Sequence, residues 1–347
     1  MKLTFRWYGE NDPVTLEKIA QIPTMTGIVS AVYGVQPGEV WGEDQINAIR
    51  DAANRKGLAF EVVESVPVPE EIKLGTASAP RLIENYCENL RRLGKAGVKC
   101  VCYNFMPVFD WLRSDLARQN ADGSTSLAYE HETVLKMDPA KGDLSLPGWD
   151  ASYRPEELKG LLARYEALGE EGLWKNLAAF LEAVIPAAKT AGICMAIHPD
   201  DPPWGMFGLP RVITCRENLR RFLSLVPERE NGLTFCTGSL GANPENDLPA
   251  MATEFCDRIH FAHLRNIRYL DKPLSFQEVG HPSACGSLDL FAIAKNLSDG
   301  GFTGYVRPDH GRAIWGEENS HPGYGLFDRA LGATYLAGLF EAIEKTL

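Results

Sequence analysis

The stretch IHFAH, residues 259–263, decides how this chain folds. It is a short apolar run that ends in a histidine, and a polar segment follows it directly. Three other runs have the same form: CMAIH (194–198), LTFC (233–236) and YVRPD (305–309). The last residues of successive runs are 38, 27 and 46 positions apart, which leaves room for one helix and a return strand each time. Strands that alternate with helices in this way predict a parallel sheet.

The same alternation extends over the whole chain. Amphipathic stretches separate eight short segments that have the β-branched and aromatic content of buried parallel strands. These segments are 3–8, 27–33, 59–66, 100–106, 193–198, 233–237, 259–263 and 304–309. Eight βα pairs predict an α/β fold, a (β/α)₈ TIM barrel that forms a single domain over residues 1–347. A doubly wound sheet is the alternative, but no G-x-G-x-x-G follows the first strand.

The polar segment 107–153 interrupts this alternation after the fourth predicted strand. Because loops that follow barrel strands lie on the face where active sites gather, we expect this insertion on the catalytic face. It is either a surface insertion, which could contact another subunit of an oligomer, or a lid over the site.

Composition restricts the partners and the compartment. The net charge of −11 and the pI near 5.2 argue against binding to nucleic acid or to an anionic membrane surface. The start, MKLTFRWYG, has no apolar core of a signal peptide, and no run of apolar residues is long enough to span a membrane. The eight cysteines include no C-x-x-C pair. A cytoplasmic protein with reduced thiols is therefore expected.

Four residues that can bind metal end the four runs: His198, Cys236, His263 and Asp309. A single residue of this kind at a strand end is commonly a packed polar group or a helix cap. Four in succession would converge at the C-terminal face of a barrel, where two imidazoles, a thiolate and a carboxylate predict a site for a divalent metal. The thiolate, taken alone, favours zinc or ferrous iron over magnesium.

Three further residues are candidates for binding substrate or moving protons. Arg265, two positions after His263, is either the cation that binds a substrate carboxylate or a solvent-exposed loop arginine. His310 is either a general acid or base or a capping residue. Tyr324, in HPGYG (321–325), either transfers a proton or anchors the loop through its ring.

Arg6 and Trp7 end the first predicted strand. They either face the substrate, as binding residues, or have a structural role.

Several segments together resemble the mannonate dehydratase family, and the likeness covers essentially the whole chain. They are the opening MKLTFRWYGENDPVTL, then AIHPDDPPW, TFCTGSLGA, HFAHLRN, RPDHGR and HPGYG. That family belongs among the xylose-isomerase-like barrels. The resemblance implies a hydro-lyase that converts D-mannonate to 2-dehydro-3-deoxy-D-gluconate and water in hexuronate (glucuronate) catabolism.

The resemblance also implies the cofactor and the site. One Mn²⁺ or Fe²⁺ ion would bind at His198, Cys236, His263 and Asp309. Arg265, His310 and Tyr324 would have catalytic or substrate-binding roles. The expected partners are a small sugar acid and further copies of the chain, in a homodimer or higher homo-oligomer.

Two other functions stay open on the sequence. A metal-dependent sugar isomerase or epimerase on the same barrel would ordinarily use several carboxylates and a histidine, so Cys236 argues against it. A non-catalytic barrel that binds sugar acids or metal would not need His310 and Tyr324 beside its metal.

Overall fold

The central element of the fold is a closed barrel of eight parallel strands. A computed structural model describes residues 1–139, 154–317 and 321–346. With strands numbered in chain order, the barrel consists of β1 (Lys2–Arg6), β2 (Gly27–Ser30), β3 (Ala59–Glu64), β4 (Cys100–Tyr103), β7 (Cys194–Ile197), β8 (Asn231–Cys236), β9 (Ile259–His263) and β12 (Tyr305–Arg307). The (β/α)₈ fold predicted from the sequence is confirmed.

Helices connect the strands and cover the barrel. In the described residues they are α1 (Leu16–Ala20), α2 (Glu43–Asn54), α3 (Glu70–Lys73), α4 (Ala79–Lys95), α5 (His131–Val134), α6 (Pro155–Ala191), α7 (Arg216–Leu225), α8 (Thr237–Leu240), α9 (Leu248–Glu254), α10 (Leu290–Asp299) and α11 (Phe327–Glu344), with 3₁₀ turns at Cys256–Arg258 and Ser283–Cys285. Helix α4 shows why these helices pack on the barrel. The spacing of its apolar residues gives it one buried face, which contains Leu82, Tyr86, Leu90 and Leu93. Within these ranges no helix combines the length and the apolar content that crossing a membrane requires.

The barrel interior explains why the polar residues end the strands. Val62, Cys102, Ala196 and Phe261, each from a different barrel strand, pack together inside it. Side chains on a strand alternate between its two faces, so the next inward position lies two residues further on. That step leads from Ala196 to His198 and from Phe261 to His263 at the C-terminal mouth of the barrel.

A second, antiparallel sheet lies on the same side of the barrel. It contains β5 (Asp115–Gln119), β6 (Thr125–Tyr129), β10 (Asn266–Tyr269) and β11 (Phe276–Val279), in the order β10-β11-β6-β5. Strands β5 and β6 come from the predicted insertion after β4. Strands β10 and β11 follow β9, where the sequence predicted only a loop. They were not predicted because each has only four residues and β10 is half exposed.

Part of the predicted insertion, residues 140–153, lies outside the described residues. Its role as a lid or as an oligomer contact stays a prediction, and so does the division of the chain into one domain with an insertion.

Candidate active site

The four predicted metal ligands come together at the C-terminal mouth of the barrel. Ligand atoms of His198, Cys236 and His263 all lie within 4.8 Å of one another. Asp309 completes the cluster, with Oδ2 at 3.6 Å from the Cys236 sulfur and Oδ1 at 3.8 Å from Nδ1 of His263. Cys236, His263 and Asp309 are buried, and His198 is half-buried. This mixture of nitrogen, sulfur and oxygen donors fits one divalent transition-metal ion.

Charges around the cluster favour the deprotonated thiol that a metal requires. Burial by itself raises the pKa of Cys236, but Arg265 and His198 lower it to about 5. Burial by itself lowers the pKa of His198, but the neighbouring Cys236, Glu64 and Asp309 raise it to about 9. The thiolate and the imidazolium therefore stabilise each other, and a divalent cation bound by the thiolate would take the place of the His198 proton.

His310 and Tyr324 form a hydrogen-bonded pair beside this cluster. Nε2 of His310 lies 3.1 Å from the Tyr324 hydroxyl, and Nδ1 lies 2.9 Å from Oε1 of Glu278. Burial by itself raises the pKa of Glu278, but His310, Arg265 and Arg113 lower it to about 2, so the carboxylate is ionised. Because a carboxylate accepts the bond, Nδ1 donates and Nε2 faces Tyr324. Burial raises the pKa of the Tyr324 phenol well above its usual value. The phenol is therefore neutral and can donate to Nε2, and the two side chains line one pocket as a pair of groups suited to proton transfer.

Arg265 lies within this cluster but is held by carboxylates. Its Nε donates to Asp309 at 2.6 Å, its Nη1 to Glu278 at 2.7 Å and its Nη2 to Asp201 at 2.6 Å. It is 1% exposed, so it is not a solvent-exposed loop arginine. Each of its nitrogens already donates to a carboxylate, and these bonds do not match the prediction that it binds a substrate carboxylate.

The first strand places only one of its two predicted residues in the site. Arg6 lines the pocket, together with Tyr8. Trp7 is not among the lining residues, and its side chain packs in the hydrophobic core. The prediction that Trp7 faces the substrate is corrected. Successive side chains of a strand point to opposite faces, so Arg6 faces the pocket and Trp7 faces the core.

The pocket is a cavity of about 230 Å³, which suits a small metabolite. Predicted residues that line it are Arg6, His198, Arg265, Asp309, His310 and Tyr324, whereas Cys236 and His263 are not among its lining residues. The Trp111 ring also lines it, with its centroid 5.2 Å from that of His310, so the inserted segment contributes to its wall.

Four charged residues of the site were not predicted from the sequence: Glu64, Asp201, Glu278 and Arg307. Arg307 donates from Nη2 to Asp309 at 2.7 Å and to Glu64 at 3.1 Å. Arg307 lies two residues before Asp309 on one strand face, and Glu64 ends β3, so strand alternation could have indicated both. Glu278 lies on the unpredicted strand β11 and had no such signal.

Comparison with known proteins identifies the family. The family model described as D-mannonate dehydratase (UxuA) matches residues 1–347. A mannonate dehydratase of Oceanobacillus iheyensis is 53% identical over 344 residues, 99% of this chain and 98% of that protein. Mannonate dehydratase 2 of Halalkalibacterium halodurans is 54% identical over 347 residues, 99% of this chain and 100% of that protein.

Solved structures agree with this match. The crystal structure of mannonate dehydratase from Streptococcus suis serotype 2 superposes with a TM-score of 0.93 at 47% identity, over 100% of this chain and 95% of that one. A D-psicose 3-epimerase structure matches with a TM-score of 0.58 at 12% identity, over 98% and 99% of the two chains, and shows that the barrel fold is shared more widely. The family match, the sequence identities and the shared structure together show that this chain belongs to the D-mannonate dehydratase family.

Proposed function

We propose that this chain dehydrates D-mannonate to 2-dehydro-3-deoxy-D-gluconate and water in the pocket at the barrel mouth, as a metal-dependent hydro-lyase of hexuronate catabolism. Membership in the family supports the reaction. The observation that supports this location most strongly is the hydrogen-bonded pair of His310 and Tyr324, which lines the same pocket as His198 and Asp309.

The metal would be one divalent ion held by His198, Cys236, His263 and Asp309. Their mutual distances and mixed donors support a single ion, because two anionic ligands nearly balance a divalent charge. When bound, the ion would supply a Lewis acid beside the developing negative charge of the substrate. The choice of Mn²⁺ or Fe²⁺ follows the family resemblance.

The reaction needs two proton transfers, and His310 and Tyr324 are in position to carry them. The C2 proton of mannonate is weakly acidic because the neighbouring carboxylate can take up the charge that its removal leaves. The C3 hydroxide is a poor leaving group and departs as water when an acid protonates it. His310 and Tyr324 supply the base and the acid. Glu278 orients the imidazole from its other nitrogen, and Arg265 holds Glu278 and Asp309 in place.

We further propose a cytoplasmic protein that assembles as a homodimer or higher homo-oligomer. All eight cysteines are free, as is usual in a reducing compartment. Exposed apolar side chains support assembly, among them Trp315, which is 73% exposed and contacts the Phe327 ring. The segment 107–153 would be an insertion on the catalytic face, as a lid or as part of a subunit contact. Light scattering in solution tests the assembly.

The reaction is tested by incubating the metal-loaded enzyme with D-mannonate in deuterated water. Deuterium should appear at C3 of the product, because the enol that forms on loss of water takes up a solvent proton there. Mannose and fructose lack the carboxylate, and we expect their kcat/KM to be lower by roughly 10²–10⁴-fold. If mannonate is unchanged while a neutral sugar is interconverted, the chain is an isomerase and the proposal is wrong.

A further inference from the structure

The pocket contains buried hydrogen-bond donors that the protein itself does not use. Nε and Nη1 of Arg6 and Nη1 of Arg307 are buried without a hydrogen-bond partner among the described residues. Both arginines line the pocket. A buried donor that lacks a partner costs free energy, and charged donors cost most, so a site with three of them is suited to an acceptor from outside the chain.

These donors are suited to a carboxylate. Arginine donates through a planar fork that matches the two oxygens of a carboxylate, and two arginines offer more donors than a hydroxyl can accept. The nearest protein carboxylate does not serve Arg6, because Oε2 of Glu64 lies 3.9 Å from its Nη1, beyond hydrogen-bond distance. This oxygen is itself buried without a hydrogen-bond partner among the described residues. By contrast, all three nitrogens of Arg265 already donate to carboxylates.

The position of the two arginines also suits the reaction. Arg307 contacts Asp309, and its guanidinium carbon lies 5.9 Å from the centre of the Tyr324 ring. The guanidinium carbon of Arg6 lies 4.7 Å from the centre of the Tyr8 ring, and the centres of the Tyr8 and Tyr324 rings are 5.1 Å apart. A carboxylate held by these two arginines would therefore lie beside both Asp309 of the metal-ligand cluster and the Tyr324 ring.

We propose that Arg6 and Arg307, and not Arg265, bind the carboxylate of the substrate and set the specificity for sugar acids over neutral sugars. This inference rests on the proposed function, because it assigns the carboxylate subsite of the same pocket.

The test compares a charged ligand with a neutral one of the same shape. The 3-deoxy analogue of D-mannonate has no C3 hydroxyl to lose, and its primary amide has no negative charge. Isothermal titration calorimetry with the metal-loaded enzyme should show that the wild type prefers the acid to the amide by more than tenfold in Kd. Arg6→Gln should weaken binding of the acid by roughly 10- to 100-fold and leave binding of the amide nearly unchanged. Arg6 is the residue to change, since Arg307 also contacts His263 and Asp309.

Two further variants make the result interpretable. Arg6→Lys keeps the charge but loses the fork, and should give an intermediate loss for the acid. Arg118→Gln removes an arginine on the same side of the barrel that pairs with Glu130 outside the pocket, and should keep the wild-type preference. Metal content and thermal unfolding verify that each variant is folded.

The outcomes separate this inference from the proposed function. Equal losses for acid and amide in Arg6→Gln would overturn the subsite. A wild type that binds the acid no better than the amide would also overturn it, and that measurement does not depend on a variant that folds. Turnover of D-mannonate by the wild type is measured in parallel. If mannonate is dehydrated while Arg6→Gln keeps the full preference, only the subsite is wrong; if the wild type does not dehydrate mannonate, the proposed function itself is wrong.

Discussion

Replacing Glu278 with glutamine should damage both stability and turnover while metal stays bound. The Glu278 side chain is buried, and its carboxylate accepts from Arg113 Nη2 at 2.7 Å, Arg265 Nη1 at 2.7 Å and His310 Nδ1 at 2.9 Å. Removing one partner of a buried ion pair costs about 3–5 kcal/mol. Glutamine keeps one acceptor oxygen, so we expect a loss of unfolding free energy of about 3 kcal/mol, at the lower end of that range.

The same change should lower kcat by about 10²-fold or more, the usual contribution of one acid or base, because His310 loses the carboxylate that orients its imidazole. Thermal unfolding, plasma mass spectrometry for metal, and an assay for the 2-keto acid product measure the three effects. Glu130→Gln is the matched control: Glu130 is on the same side of the barrel, its side chain is 27% exposed, and its pair with Arg118 contributes only about 0–1 kcal/mol. A Glu278→Gln protein as stable and as active as this control would refute the assigned role.

Three other predictions test the rest of the site. Cys236→Ser should lose most of its metal and activity, because the thiolate supplies charge as well as a bond, whereas the control Cys285→Ser should keep both. A Cys236→Ser protein with normal metal content and turnover would disprove the four-ligand cluster. Tyr324→Phe and His310→Asn should keep their metal, measured by the same spectrometry, and lose about 10²-fold or more in kcat; normal turnover in Tyr324→Phe would remove that phenol from the mechanism. Arg265→Lys should lower both thermal stability and metal content, since a single ammonium cannot replace three guanidinium contacts; unchanged unfolding and metal content would show that these contacts matter little.

Strand alternation made much of the barrel and its metal-ligand cluster predictable. Each ligand ends an apolar run, and the run from Ile259 to His263 matches β9 residue for residue. The same rule, applied more strictly, separates Arg6 from Trp7 and identifies Arg307 from its position two residues before Asp309. The prediction for Trp7 and the omission of Arg307 therefore both came from applying strand alternation incompletely.

Other features could not be predicted because they depend on contacts between distant segments. Arg265 follows a barrel strand in the sequence like a free loop cation, and only the folded chain brings Asp201 and Glu278 to its guanidinium group. Glu278 itself lies on a four-residue strand whose partner β6 comes from a different loop. No local pattern indicates such a pairing, because a short, partly exposed strand is stabilised by its neighbour more than by its own sequence.

The small antiparallel sheet has a practical consequence for anyone who would transfer this chemistry to a related barrel. Phe276 of β11 pairs with Tyr129 of β6, although the two belong to loops after different barrel strands. Grafting the loop after β9 alone would bring Glu278 without the strand that holds it, and grafting the loop after β4 alone would bring a hairpin without the carboxylate. The two loops form one transplantable unit and would have to be moved together.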